Sequence, residues 1–338
     1  MIKPREEKYI PKAVGLLSGG LDSTLAAKII QGFGIEVHAL YFAMPWGCCN
    51  KAKAMEIAEG LGIKFIVLQL NEQYLEIVKK PKHGYGSALN PCVDCRVHMF
   101  GRAGDYMRSI GADFVFTGEV LGQRPMSQLR HSLATIEKES NLVGRLLRPL
   151  SAQHLEPTIP EQEGLIDRNK LLSISGRSRQ EQMQLARELG ITDYLPPAGG
   201  CLLTDKNFAR RMKDTLDHGY RNFRETIALK WGRHFRISSE FKAVLGRDED
   251  ENESLRAFAN DDDYILELPD KKGPTLILKG KNPDEEILRI ASGLIQRFSR
   301  HATQSSVEVE YWSARHPQVI KRIFSKALSE DYINQIKL

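Results

Sequence analysis

No stretch of this 338-residue chain approaches the roughly 20 consecutive apolar residues that a membrane span requires, and Met1 to Pro11 is charged rather than apolar. The expectation is a cytoplasmic protein with no membrane partner. Low-complexity tracts and internal repeats are missing too. Apolar residues at 41% and charged residues at 27% match ordinary globular domains, so disorder does not dominate. Nor is there a strong charge of one sign: the formal net charge of +5 permits a polyanionic partner without demanding one. Cysteine is scarce and odd in number, with Cys48, Cys49, Cys92, Cys95 and Cys201 making five. A chain of this length without a secretion signal needs no disulfide staples, so the thiols pose a question of metal binding or sulfur chemistry.

What is present is a rhythm. Ala13 to Leu17, a helix from about Ser23, Val37 to Phe42, a helix near Ala52 to Leu61 and Phe65 to Leu68 read as successive βαβ units. Phe114 to Phe116 and Leu171 to Ile174 are the next expected strands, the latter followed by a helical Ser178 to Leu189. A parallel sheet with helices on both faces accounts for this α/β portion. Its chemistry is expected beyond the strand ends at Leu17, Phe42, Phe116 and Ile174.

After about Asp205 the pattern changes to a helical Phe208 to Tyr220, short strands at His234 to Ile237, Ala243 to Leu245, Tyr264 to Leu268 and Thr275 to Leu278, and a helix from Asp284 to Phe298. The expected organisation is therefore an α/β domain over residues 1–205 and a smaller α+β domain over 206–338. The acidic runs Asp248 to Glu251 and Asp261 to Asp263 read as solvated turns and helix starts.

Directly after the first strand stands Ser18-Gly19-Gly20-Leu21-Asp22-Ser23. Two adjacent glycines let the backbone turn tightly and bring N–H groups against an anion, Ser18 and Ser23 add hydroxyls, and a helix N-terminus follows. This composition makes a pyrophosphate cradle. Asp22 would repel phosphate unless a cation intervenes, which assigns it to Mg²⁺ shared with a nucleotide. The Gly-Lys-Ser or Gly-Lys-Thr ending of P-loop NTPases is absent.

Asn90-Pro91-Cys92-Val93-Asp94-Cys95 leads into a helix, and Gly199-Gly200-Cys201 closes the α/β portion. Four readings are open. Each thiol is an ordinary small buried residue; or Cys201 carries a persulfide that Cys95 attacks or resolves; or Cys92, Cys95 and Cys201 hold a 4Fe-4S cluster; or they form a zinc site, which needs a fourth ligand such as His98. The adjacent Cys48 and Cys49 read as packing residues.

The string SGGLDS matches the SGGxDS signature of the PP-loop ATP pyrophosphatases. Together with the CC segment followed by KAKAMEIAEGLGI, NPCVDC, ADFVFTGE and GRSRQEQMQLARELGI leading into GGC, the chain from about Lys12 to Asp205 resembles the tRNA 2-thiouridylases and related PP-loop tRNA thiolation enzymes. The resemblance implies an adenine nucleotide alpha hydrolase-like fold, ATP and Mg²⁺ as cofactors, and Ser18, Gly19, Gly20, Asp22 and Ser23 as the ATP-binding residues. It also implies Cys95 and Cys201 as the catalytic pair, with Cys92 resembling the extra thiol of members that use an iron-sulfur cluster. One departure is plain: the family's usual Thr-Gly-His is Thr117-Gly118-Glu119 here. Arg124, just beyond it, is a candidate phosphate contact.

From about Trp231 to Phe298 the sequence resembles the RNA-binding domain of the NFACT family, through Gly232-Arg233-His234-Phe235-Arg236 and Val244-Leu245-Gly246-Arg247-Asp248. That resemblance makes Arg233, Arg236, Lys242, Arg247, Lys279 and Lys281 candidate phosphate contacts and Phe235 a stacking platform or a core residue. The expected function is an ATP-dependent tRNA sulfurtransferase that adenylates a pyrimidine carbonyl and replaces its oxygen with sulfur, from a persulfide carrier or sulfide. A PP-loop enzyme thiolating or amidating a small metabolite, and a non-catalytic RNA-binding factor, are the rival readings.

Overall fold

The computed structural model describes residues 9–47, 50–196, 200–219, 223–270 and 272–338. The chain divides into two compact units, Met1–Thr204 and Asp205–Leu338.

In the first unit the elements run β1 (Lys12–Leu16), α1 (Leu21–Gln31), β2 (Glu36–Ala43), α2 (Lys51–Gly60), β3 (Lys64–Gln69), α3 (Glu72–Lys79), α4 (Cys92–Ser109), β4 (Phe114–Thr117), α5 (Arg130–Glu139), β5 (Leu146–Leu147), α6 (Ile159–Gln162) and α7 (Gln180–Glu188). The five strands pair in the order β3-β2-β1-β4-β5, and every pairing is parallel. β1 and β4 are continuous apolar runs rather than alternating ones because both sheet faces are covered. Right-handed crossovers that step from β1 toward β3 and then return to β4 place α1 and α2 on one face and α4 and α5 on the other. Accordingly α7 packs on α1, while α3 and α5 pack on α4. Connections leave β1 and β4 in opposite directions, so a crevice opens at their carboxyl ends, the usual ligand position of such sheets.

Leu171 to Ile174 is not a strand, contrary to the sequence reading. The segment is extended, with Leu172 N donating to Pro149 O at 3.0 Å and Ile174 N to Leu150 O at 2.8 Å. In a parallel pairing the return bond would come from Ser151 N, which instead donates to Arg148 O at 3.0 Å, so no reciprocal ladder forms there. The outer strand is the two-residue β5 instead.

The second unit comprises α8 (Lys206–Asp217), α9 (Phe223–Ile227), β6 (Arg233–Arg236), β7 (Lys242–Leu245), α10 (Glu249–Phe258), β8 (Tyr264–Glu267), β9 (Leu276–Lys279), α11 (Glu285–Arg297), β10 (Val307–Ser313), β11 (Lys321–Ser325) and α12 (Glu330–Ile336). Its six strands form an antiparallel sheet in the order β11-β10-β8-β9-β7-β6. Leu288, Ala291, Leu294 and Ile295 of α11 and Ile333 of α12 bury one face against Phe235, Leu245, Leu266 and Leu278. Leu255 of α10 covers the other with Val244, Ile265 and Ile277. Among the described residues no helix is long and apolar enough to cross a membrane.

Candidate active site

The phosphate loop leaves β1 and turns at Gly19, whose φ of +79° lies in the left-handed region that a side chain disfavours. Gly20 is the N-cap of α1, and no side chain caps that helix. Hydroxyls fasten the turn from inside. Ser18 and Ser23 Oγ lie 3.2 Å apart, Ser23 donates to Gly20 O at 2.9 Å, and Thr24 donates to the same carbonyl at 3.0 Å. The first N–H groups of α1 are thereby left for an anion.

Asp22 stands at this helix start. Its Oδ2 accepts from Gln123 Nε2 at 2.9 Å, while Arg179 Nη2 lies 3.8 Å from Oδ1. Oδ1 is buried and accepts no hydrogen bond. A carboxylate oxygen left open beside a phosphate cradle fits Mg²⁺, which is commonly held by one or two carboxylates plus substrate phosphates. Gly118, just past β4, supports the loop from below: a Cβ there would sit 2.5 Å from the Asp22 carbonyl and the Ser23 nitrogen.

The thiols assemble from two distant segments. Cys92 and Cys95 lie in the first turn of α4, which begins after Pro91 with no side-chain cap. Asn90, buried, donates through Nδ2 to Cys92 Sγ at 3.2 Å. Cys201 arrives from the end of the unit, held in place where Leu202 N donates to Trp46 O at 2.9 Å and Leu89 N donates to Leu203 O at 3.0 Å. Tyr74 of α3 is the common neighbour. Its hydroxyl hydrogen-bonds Cys95, and burial together with the charges of Cys95, Cys201 and Cys92 drives it well above the usual phenol range. Its ring packs against Trp46 and His98. Burial likewise pushes the Cys95 thiol up, against the pull of the Arg96 guanidinium and the Tyr74 hydroxyl.

Cys92, Cys95 and Cys201 are in no disulfide and are half-buried. Among the described residues no three His, Cys, Asp or Glu side chains stand close enough to share one metal ion. A mononuclear zinc centre therefore does not fit, and His98 makes no fourth ligand. A 4Fe-4S cluster takes one thiolate per iron, so its ligands sit farther apart, and a donor set of three thiols around one hydroxyl fits that chemistry. Cys48 and Cys49 lie outside the described residues.

One turn joins the halves. Glu119, buried next to Gly118, faces Arg96 Nε at 3.3 Å through Oε1 and Arg148 Nε at 3.2 Å through Oε2, and Arg148 also meets Glu137 at 3.2 Å. Arg96 directly follows Cys95 in the chain. Arg124 is exposed to solvent. Sequence reasoning missed Tyr74, Trp46, Arg96 and Arg179. Arg179 sits inside the segment GRSRQEQ that had been singled out, but nothing local to Tyr74 or Trp46 marks them.

The basic residues of the second unit are sorted differently from the expectation. Phe235 is fully buried core. Asp214 of α8 takes Arg236 at 2.9 and 2.8 Å and the buried Lys242 at 2.9 Å, so neither cation is available to a phosphate. Burial lowers Lys242 to about 8 despite that partner. Lys279 faces Asp263 at 3.3 Å, and Arg247 is tied to Glu251 while remaining 46% exposed. Lys281, 71% exposed, and Arg233, stacked over the Phe298 ring at 4.9 Å, remain reachable.

Residues 10–159 match the family model described as "Thiamine biosynthesis protein (ThiI)", and residues 232–335 match "NFACT protein RNA binding domain". The first matched stretch lies inside the first unit and the second inside the second, so each unit is similar to a different family. Among curated relatives, a tRNA-specific 2-thiouridylase from Sulfurimonas denitrificans is 37% identical over 31% of this chain and 33% of its own length. One from Clostridioides difficile is 26% identical over 64% of this chain and 63% of its own. The chain thus spans less than two thirds of each. A solved 4-thiouridine synthetase–RNA complex with bound ATP is 21% identical, with a TM-score of 0.37, over 58% of this chain and 42% of that one.

Proposed function

We propose that the chain is an ATP-dependent tRNA sulfurtransferase. ATP lies on the Ser18 to Ser23 loop with its phosphates on the open N–H groups of α1 and Mg²⁺ at Asp22. A uridine or cytidine carbonyl oxygen of the RNA attacks the α phosphorus, pyrophosphate departs, and the base carries AMP through that oxygen. Sulfur then bonds to the same carbon as the carbon–oxygen bond breaks and AMP leaves with the oxygen. The loop N–H groups and the cation stabilise charge as it develops on the phosphates.

Cys95 and Cys201 are the sulfur-handling pair in this reading. Tyr74 orients the Cys95 sulfur, and Arg96 offers it a counter-charge. Cys92, Cys95 and Cys201 would hold a 4Fe-4S cluster, which supplies an iron free of protein ligands for hydrosulfide. The second unit would hold the RNA through Arg233, Arg247 and Lys281, since a base must leave its stack to reach a pocket.

The observation that carries this reading is the Gly118–Glu119 turn, which abuts Asp22 and Ser23 on one side and holds Arg96, beside Cys95, on the other. Incubating the full chain with ATP, Mg²⁺ and tRNA should release pyrophosphate in an RNA-stimulated way. Asp22→Ala should cut that release by on the order of 10²–10³-fold, the scale of losing one electrostatic stabiliser. Nucleosides from a deletion strain should lack one thionucleoside; a full set, or undiminished turnover by the variant, contradicts the assignment.

A further inference from the structure

Three buried polar atoms at the phosphate loop have no hydrogen-bond partner: Asp22 Oδ1, Gln123 Oε1 and Arg179 Nε. They belong to one contact set, because Gln123 Nε2 donates to Asp22 Oδ2 at 2.9 Å and Arg179 Nη2 stands 3.8 Å from Asp22 Oδ1. Leaving such atoms unsatisfied is costly, and native proteins rarely keep them without a use. The Arg179–Asp22 separation is an ion-pair distance too long for a hydrogen bond. Arg179 is also the first residue before α7, a helix that packs on α1, so its backbone is fixed relative to the loop while its side chain remains 21% exposed.

We propose that Arg179 is an exchange cation: it neutralises Asp22 in the nucleotide-free loop and transfers to the polyphosphate when a metal ion takes over Asp22. This rests on the reading of the loop as an ATP site. Before nucleotide arrives, the carboxylate at the cradle would repel phosphate, and the loosely held guanidinium offsets it. When Mg²⁺ binds Oδ1, the guanidinium loses its counter-charge beside a polyanion that accepts its planar fork of donors. Gln123, already on Oδ2, fixes the carboxylate so that Oδ1 faces the incoming cation. Metal and nucleotide binding are then coupled through one side chain, so ATP without metal meets a site whose arginine is already engaged.

Calorimetric titration of the full chain with ATP, in chelator and in Mg²⁺, tests this through a change of sign. In chelator, Asp22→Asn frees Arg179 and removes the repelling charge, so metal-free ATP should bind about tenfold more tightly than to the wild type. In Mg²⁺ the same variant should bind more weakly than the wild type. Adding Arg179→Ala should erase the gain in chelator, with melting curves confirming that each variant is folded. A gain that survives without Arg179, or no gain at all, overturns the exchange while leaving the ATP site intact. A wild-type chain that takes up no nucleotide in Mg²⁺ overturns the ATP site itself, and the exchange with it.

Discussion

Apart from α2, capped by Asn50, and α6, with its Thr158–Glu161 capping box, the two units start their helices in different ways. In the second, α8, α10, α11 and α12 each begin on an Asp or Ser whose side chain accepts from the first turn: Asp205, Asp248, Asp284 and Ser329. In the first, α1, α4, α5 and α7 follow Gly20, Pro91, Leu129 and Arg179, and none has a side-chain cap. Asp214 and Asp263 hold Arg236, Lys242 and Lys279 within the second unit; in the first, Glu119 and Glu137 hold Arg148, while Arg179 stands loosely near Asp22. A capped helix is finished and an uncapped one has donors to give. The capped helix starts of the second unit are closed, and those at the phosphate loop and at Cys92 in the first are open.

The contrast can be tested by opening what is closed and closing what is open. The largest effect is expected from Asp214→Ala, which strands Lys242 and Arg236 without their carboxylate. Breaking such a buried pair costs about 3–5 kcal/mol, read as a lowered urea midpoint for the second unit. Gly20→Asp should do the reverse at the phosphate loop. Gly20 already has the extended backbone of an N-cap, and a Cβ there meets only Ser18 Oγ at 3.5 Å. The new carboxylate would cap α1, raise stability by a few tenths of a kcal/mol, and weaken Mg·ATP binding by about tenfold or more in calorimetry. Asp248→Ala should uncap α10, costing about 1 kcal/mol in thermal unfolding and leaving nucleotide affinity unchanged.

The smallest effect lies at the amino-terminal edge of the parallel sheet, where the first unit is closed like the second. Hydrogen bonds from His38 and then Lys64 bring Glu36 from 4.5 down to about 2. A folded-state value below the unfolded one adds stability that is complete above about 4.5 and lost as pH falls through about 2. Solvent screening trims the effect, since Glu36 is 33% exposed. Glu36→Gln should therefore lower stability modestly at neutral pH and flatten the acid limb, with variant and wild type converging as pH falls through about 2.

Legibility in the sequence followed the range of the interactions. SGGLDS was readable because its geometry is set within six residues, and β1, β2 and β4 because both-sided burial writes continuous apolar runs. Leu171 to Ile174 writes such a run too, and only the turn in its partner segment, where Ser151 N bonds Arg148 O, denies it a ladder. The alternation in Val307-Glu308-Val309-Glu310 was a strand signal that went unassigned. Arg236, Lys242 and Phe235 looked like surface recognition because Asp214, the residue that claims both cations, lies on another element. Tyr74 and Trp46 reach the thiols purely through tertiary packing, which no local pattern records.

The backbone clasp at Cys201 has a consequence for how the protein comes into being. The phosphate loop, Cys92 and Cys95 are synthesised early, but the third thiol is fastened only when Leu202 and Leu203 reach Trp46 and Leu89. A nascent chain, or one cut by a protease ahead of that point, would carry the phosphate loop, Cys92 and Cys95 without the third thiol, so the thiol set is completed only when the last residues of the first unit are in place.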